Sequence, residues 1–135
     1  MIRERSKDLF GESTDYTMGY NLANHTTLTG EIIDFGQEEN FAVPPHSIKI
    51  WIKTAATGAA TTDTLKLTIS SSTDGSSFDT LFVTKAFPIS ELTEGKVLVD
   101  MAVPKNCHRY LQVTGTESVA FTGGVICGTV RPDFV

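Results

Sequence analysis

A length of 135 residues with 40% apolar content suits one domain, which at this size buries roughly two-thirds of its unfolded surface and needs no metal or disulfide staple. A net charge of −5, with eleven scattered Lys and Arg, argues against nucleic-acid binding, which needs a concentrated basic face to neutralise phosphates. Two cysteines are too few for a disulfide framework, and no apolar run approaches the roughly 18 residues that a membrane span needs.

The start, Met1 to Asp8, is charged and leads into no apolar signal segment, so a reducing cytoplasm is the expected site of synthesis. Residues 1–27 show no strand-length alternation and read as an N-terminal arm distinct from a domain over 28–135. Arg3 and Arg5 cluster there, and Leu9, Phe10, Tyr16 and Tyr20 are apolar residues unusual in a solvated tail, so the segment reads either as a frayed, surface-lying terminus or as an arm that orders on a neighbouring subunit.

From residue 28 the period changes to two. Thr29 to Phe35 reads as a strand ended by Gly36, and Pro44-Pro45 precedes a strand over 47–54. In that strand Ile48, Ile50 and Ile52 face one way and Lys49, Trp51 and Lys53 the other. Residues 55–62 read as a loop. Leu65, Leu67 and Ile69 mark the next strand, and Asp74-Gly75 marks a hairpin turn into a strand over 80–87. Residues 89–95 permit one helical turn. Further strands follow over 97–103, 108–114 and 119–130, with a bulge or close backbone approach expected at Gly123-Gly124.

Seven or eight strands with frequent turn signals and no long helix predict an all-β fold: an antiparallel, jelly-roll-like β-sandwich with an extended N-terminal arm. The expected core is Ile33, Phe35, Ile48, Ile50, Ile52, Leu65, Leu67, Ile69, Leu81, Val83, Val97, Val99, Met101, Leu111, Val113, Phe121 and Val125.

No catalytic constellation is present: there is no G-x-S-x-G elbow, and His25, His46 and His108 lack partners at metal-ligand spacing. No catalytic residue, metal site or cofactor is expected. Ser72, Asp74, Ser76 and Asp79 offer oxygen ligands, but a hairpin turn explains them more simply than calcium does. A hairpin centred on Glu117 would set Cys107 opposite Cys127; two buried free thiols are the preferred reading in a reducing compartment. Trp51, between two lysines, reads as an interface anchor or a carbohydrate platform, or equally as a residue packed under a loop or against a sheet edge.

Three stretches carry a family resemblance. They are Lys7-Asp8-Leu9-Phe10 with Ile33-Asp34-Phe35-Gly36, then Leu65 to Phe78, and then Arg109-Tyr110-Leu111-Gln112-Val113 with Phe121 to Gly128. Together they resemble the capsid cement (decoration or staple) proteins of tailed phages, departing in a longer polar stretch between Phe10 and Ile33. The resemblance implies a jelly-roll-like protein on the outer surface of the virion. Its partners would be the major capsid protein and itself, as dimers at two-fold positions or alternatively trimers, with no direct nucleic acid and no membrane. It would bridge neighbouring shell subunits by adhesion rather than catalysis. The turn at Ser72 to Gly75 with Phe78 is also similar to discoidin-like carbohydrate-binding sandwiches of phage tails or secreted proteins, the alternative function.

Overall fold

The computed structural model describes residues 7–10, 20–23, 26–34, 46–58, 60, 62–103 and 107–132. Their strands are β1 (Lys7–Asp8), β2 (Tyr20–Asn21), β3 (Thr27–Thr29), β4 (Ile33–Asp34), β5 (His46–Thr57), β6 (Thr64–Ser72), β7 (Asp79–Val83), β8 (Phe87–Pro88), β9 (Val97–Ala102), β10 (Tyr110–Glu117) and β11 (Gly123–Pro132). One 3-10 turn, Ile89–Glu91, fills the connection expected to hold a helical turn.

All named strand pairs are antiparallel. The first sheet runs β1-β11-β5-β9, with β2 also on β11; the second runs β3-β10-β6-β7, with β4 also on β10 and β8 also on β6. Short strands sharing one neighbour count as one position, so β1/β2, β3/β4 and β7/β8 merge and eight positions remain. In chain order the sheets then read 1-8-3-6 and 2-7-4-5. First pairs with eighth, second with seventh, third with sixth and fourth with fifth, which is the wrapping of a jelly roll.

The period-two runs become strands because one face can be buried. Ile48, Ile50 and Ile52 of β5 meet Leu65, Leu67 and Ile69 of β6 and Leu111 and Val113 of β10 in a single core. Ser72 and Asp74 shape the hairpin between β6 and β7. The Ser72 hydroxyl accepts from the Asp74 and Gly75 amides at 3.1 and 2.9 Å, and Gly75 takes φ +81°.

Several expectations are corrected. The sandwich does not begin at residue 28: β1 and β2 occupy its first position, and Leu9, Phe10 and Leu22 are buried in the core. Thr29 to Phe35 is not one strand. At Gly30 the chain turns to donate to Val113 O at 2.8 Å while Glu31 donates to Leu9 O at 2.8 Å, which ends β3. A Cβ on Gly30 would lie 2.6 Å from Leu9 O, so only glycine fits there. Phe35 lies outside the described residues. Ala55–Thr57 belong to β5 rather than to a loop. The strand expected over 80–87 breaks into β7 and β8, and Gly115–Glu117 continue β10 instead of turning.

The hairpin centred on Glu117 does not exist. β10 and β11 lie in different sheets, and residues 118–122 cross between them, held by Ser118 N–H to Thr64 O at 2.9 Å and Thr122 N–H to Thr57 O at 2.8 Å. Cys107 and Cys127 are both buried and are not joined by a disulfide. The bulge at Gly123-Gly124 is present as a register shift against β5, with Gly124 at φ +123°. The extra residues lie on β5, since Gly123 pairs with Thr57, Val125 with Thr54 and Ile126 with Ile52, and on β11 Ile126 rather than Val125 is the buried residue.

Candidate interaction surface

The two flanks of the sandwich differ. On one, the chain stitches the sheets together: Leu9 N–H donates to Gly128 O of β11 at 2.9 Å, and Glu31 and Gly30 tie Leu9 to β10. Phe10 packs on Gly128, where a Cβ would come within 2.9 Å of the ring. On the other flank, β7 and β9 end their sheets, and no strand among the described residues pairs with their outer edges.

β7 is an unusual edge. None of its five side chains is buried, and Phe82 and Val83 are 41% and 44% exposed. A register shift where Ile69 and Ser70 meet Phe82 and Thr80 leaves Leu81 as the extra residue of a bulge. The strand ends where Thr84 folds under, donating its N–H to Leu67 O at 2.9 Å and accepting from Leu67 N–H at 3.0 Å. Val97, at the start of β9, is 40% exposed. Val83 and Val97 are therefore surface residues rather than core.

Between the two edges lies a groove of about 270 Å³, lined by Phe82, Phe87, Leu98 and Met101 with Lys85 and Asp100 beside them. Lys85 Nζ sits 5.3 Å over the Phe87 ring and 3.0 Å from Glu91 Oε1. Monomeric proteins rarely leave apolar strand edges uncovered.

Trp51 lies on the outer face of the first sheet, as its spacing predicts. It is half-buried, registered between Cys127 and Val97, and Lys49 Nζ is 5.9 Å from its ring. The other anchors expected at an interface distribute differently. Leu9 and Phe10 are core residues and cannot present themselves to a partner. Tyr20 is half-buried, with its ring 6.3 Å from Phe10 in an edge-on contact. Arg3, Arg5 and Tyr16 lie outside the described residues, as does His25.

The polar clusters are structural. Asp74 Oδ1 accepts from Ser76 N–H, Ser77 N–H and the Ser72 hydroxyl, and these bonds hold its carboxyl down at about 2. That oxygen is committed to the turn, and no group of three or more metal-ligating side chains occurs among the described residues. Asp34 and Arg109 form a two-bond pair at 2.7 and 3.0 Å, with the guanidinium 5.1 Å over Tyr110. Burial pushes the Cys107 thiol up to about 11, so it holds no thiolate at neutral pH. His108 donates its backbone N–H to Ser71 Oγ at 3.2 Å.

Glu117, expected at the tip of a turn, is instead buried at the end of β10. Glu117 is 2% exposed; Oε1 accepts from Phe121 N–H at 3.0 Å, and Oε2 has no partner. Burial raises its carboxyl above the usual range. Only its inward position in β10, after Leu111, Val113 and Gly115, would have flagged it.

The Bbp16 family model matches residues 21–131, from β2 to β11. The chain belongs to the Bbp16 family. No curated protein matches it. The Bbp16 span begins within β2 and ends within β11, and it contains β3 to β10 whole.

Proposed function

We propose that this Bbp16-family chain is a capsid cement protein of a tailed phage. It binds the outer surface of the shell built by the major capsid protein and stabilises the shell by bridging neighbouring subunits. It acts by adhesion, without catalysis or a cofactor.

The observation that supports this most is the packing of the three stretches that carry the cement-protein resemblance. Lys7-Asp8 pairs with Thr129-Val130, and Phe10 covers Gly128. Ile33-Asp34 pairs with Tyr110-Leu111, which also pairs with Ser71-Ser72 within the Leu65 to Phe78 stretch. The Arg109 guanidinium binds Asp34 across 75 residues. Scattered in sequence, these stretches are neighbours in space, as expected of a pattern that specifies one fold rather than a chance set of short matches.

An adhesive role also fits what the molecule offers: a closed core, exposed edges and an outward Trp51. Each contact is modest, and repetition over a symmetric shell multiplies them. Co-sedimentation of the full chain with empty shells of a tailed-phage major capsid protein tests the reading. Saturable pelleting is expected, weakened by Trp51→Ala. A chain that stays in the supernatant at every concentration overturns it.

A further inference from the structure

We propose that Glu117 is a pH-sensitive latch on the crossover between the two sheets. With a neutral carboxyl it holds residues 118–122 against the end of the sandwich; with an ionised carboxyl that segment opens locally while both sheets stay paired. This goes beyond the proposed shell binding and does not rest on it.

The fold puts one carboxyl at the root of the crossover. Glu117 ends β10 with its backbone N–H on Thr26 O at 2.9 Å, and its side chain turns inward. Oε1 accepts from Phe121 N–H at 3.0 Å, across the crossover, while the buried Oε2 has no hydrogen-bond partner. A buried carboxylate with one oxygen unsatisfied is costly, and opening returns that oxygen to water. Burial accordingly raises the carboxyl above its usual range.

The surroundings supply no countercharge among the described residues. β6 sets Leu65 opposite Glu117, and the alternation of that strand turns exposed Lys66 to the outer face. β3 contributes Thr27, Leu28 and Thr29, and the crossover Ser118, Val119, Ala120, Phe121 and Thr122, none of them titratable. Asp63, buried two residues before Leu65, has its Oδ2 on the Ala60 N–H at 3.3 Å. His25 lies outside the described residues.

The rest of the crossover is lightly held. Ser118 N–H donates to Thr64 O at 2.9 Å, Thr64 N–H to Ser118 Oγ at 2.9 Å and Thr122 N–H to Thr57 O at 2.8 Å, and the Thr57 and Thr122 hydroxyls pair at 2.9 Å. Of its side chains only Phe121 is buried, and Val119 is 50% exposed. A segment with one buried anchor opens at less cost than the sheets it joins.

Amide hydrogen exchange of the full chain, read by NMR and corrected for intrinsic rates, tests this. A range of about pH 4 to about pH 9 runs from the ordinary glutamate value to the highest known for buried glutamates. Phe121 and Thr122 amides should exchange at least about tenfold faster than those of β5 and β6 at every pH. Their protection should fall about tenfold per pH unit above 4.5 and level off once the folded carboxyl has ionised. Glu117→Gln keeps an acceptor for Phe121 N–H and cannot ionise, so it should abolish the slope and retain the acid-state protection throughout. Glu117→Met neither ionises nor accepts, so it should also lose the slope while Phe121 exchanges about fivefold faster at acid pH. Wild-type protection that ignores pH, a slope that survives in Glu117→Gln, or crossover amides that exchange together with those of β5 and β6 overturns the proposal.

Discussion

Glu117 and Asp74 are carboxyls with opposite effects on stability. Burial disfavours the charged form of Glu117, so the folded chain holds its proton to higher pH than the unfolded chain does. Stability should therefore fall as pH rises above the ordinary value of 4.5 and level off once the folded group has ionised. Asp74, held at about 2 by the Ser77 and Ser76 amides and the Ser72 hydroxyl, behaves the other way: its contribution is present above 3.8 and is lost as pH falls towards 2. Urea midpoints measured against pH should show both limbs. Glu117→Gln should remove the neutral-side decline and raise the midpoint at pH near 7, and Asp74→Asn should flatten only the acid limb. Phe10 makes a simpler prediction. It is buried on Gly128 beside Tyr20, so Phe10→Ala should cost about 3–5 kcal/mol in chemical denaturation.

Strands differ in how plainly their sequences announce them. β5 and β6 are 12 and 9 residues long, and their alternating isoleucines and leucines give both location and face. β1, β2 and β4 have two residues each, too few to show any period, and only pairing to β10 or β11 makes them strands. That is why Leu9, Phe10 and Leu22 read as an arm although they are core. The irregularity was legible in Gly123-Gly124, but which of Val125 and Ile126 faces inward was not, because that depends on the register against β5, where the extra residues lie. At Gly124, φ is +123° and a Cβ would lie 2.8 Å from Ala56 Cα. Gly124→Ala should therefore destabilise by at least about 1 kcal/mol and disturb amides of β5 near Thr57 in NMR spectra. The candidate surface was hidden for a related reason. Phe82, Val83 and Val97 have the residue types of a core, and only the sheet order, which leaves β7 and β9 last, puts them on the surface.

The whole molecule is a chain wrapped so that its first strand position closes against its last. Closure makes the N-terminal segment a structural part. Removing residues 1–10 would withdraw Leu9 and Phe10 from the core, about 3–6 kcal/mol of burial, against a total stability of about 5–15 kcal/mol for a typical domain. The truncated chain should melt far below the full chain or fail to fold, so an arm deletion is not a clean test of attachment. With the closed flank occupied by the chain's own stitching, interaction falls to the open flank and the outer sheet faces. The proposed cement role would draw on those surfaces for its contacts with the shell. The most direct measurement is the temperature at which shells of the major capsid protein break down, followed by light scattering, with and without saturating full-length chain. The account predicts a higher breakdown temperature with the chain bound. An unchanged temperature, with the chain demonstrably folded and in excess, would contradict it.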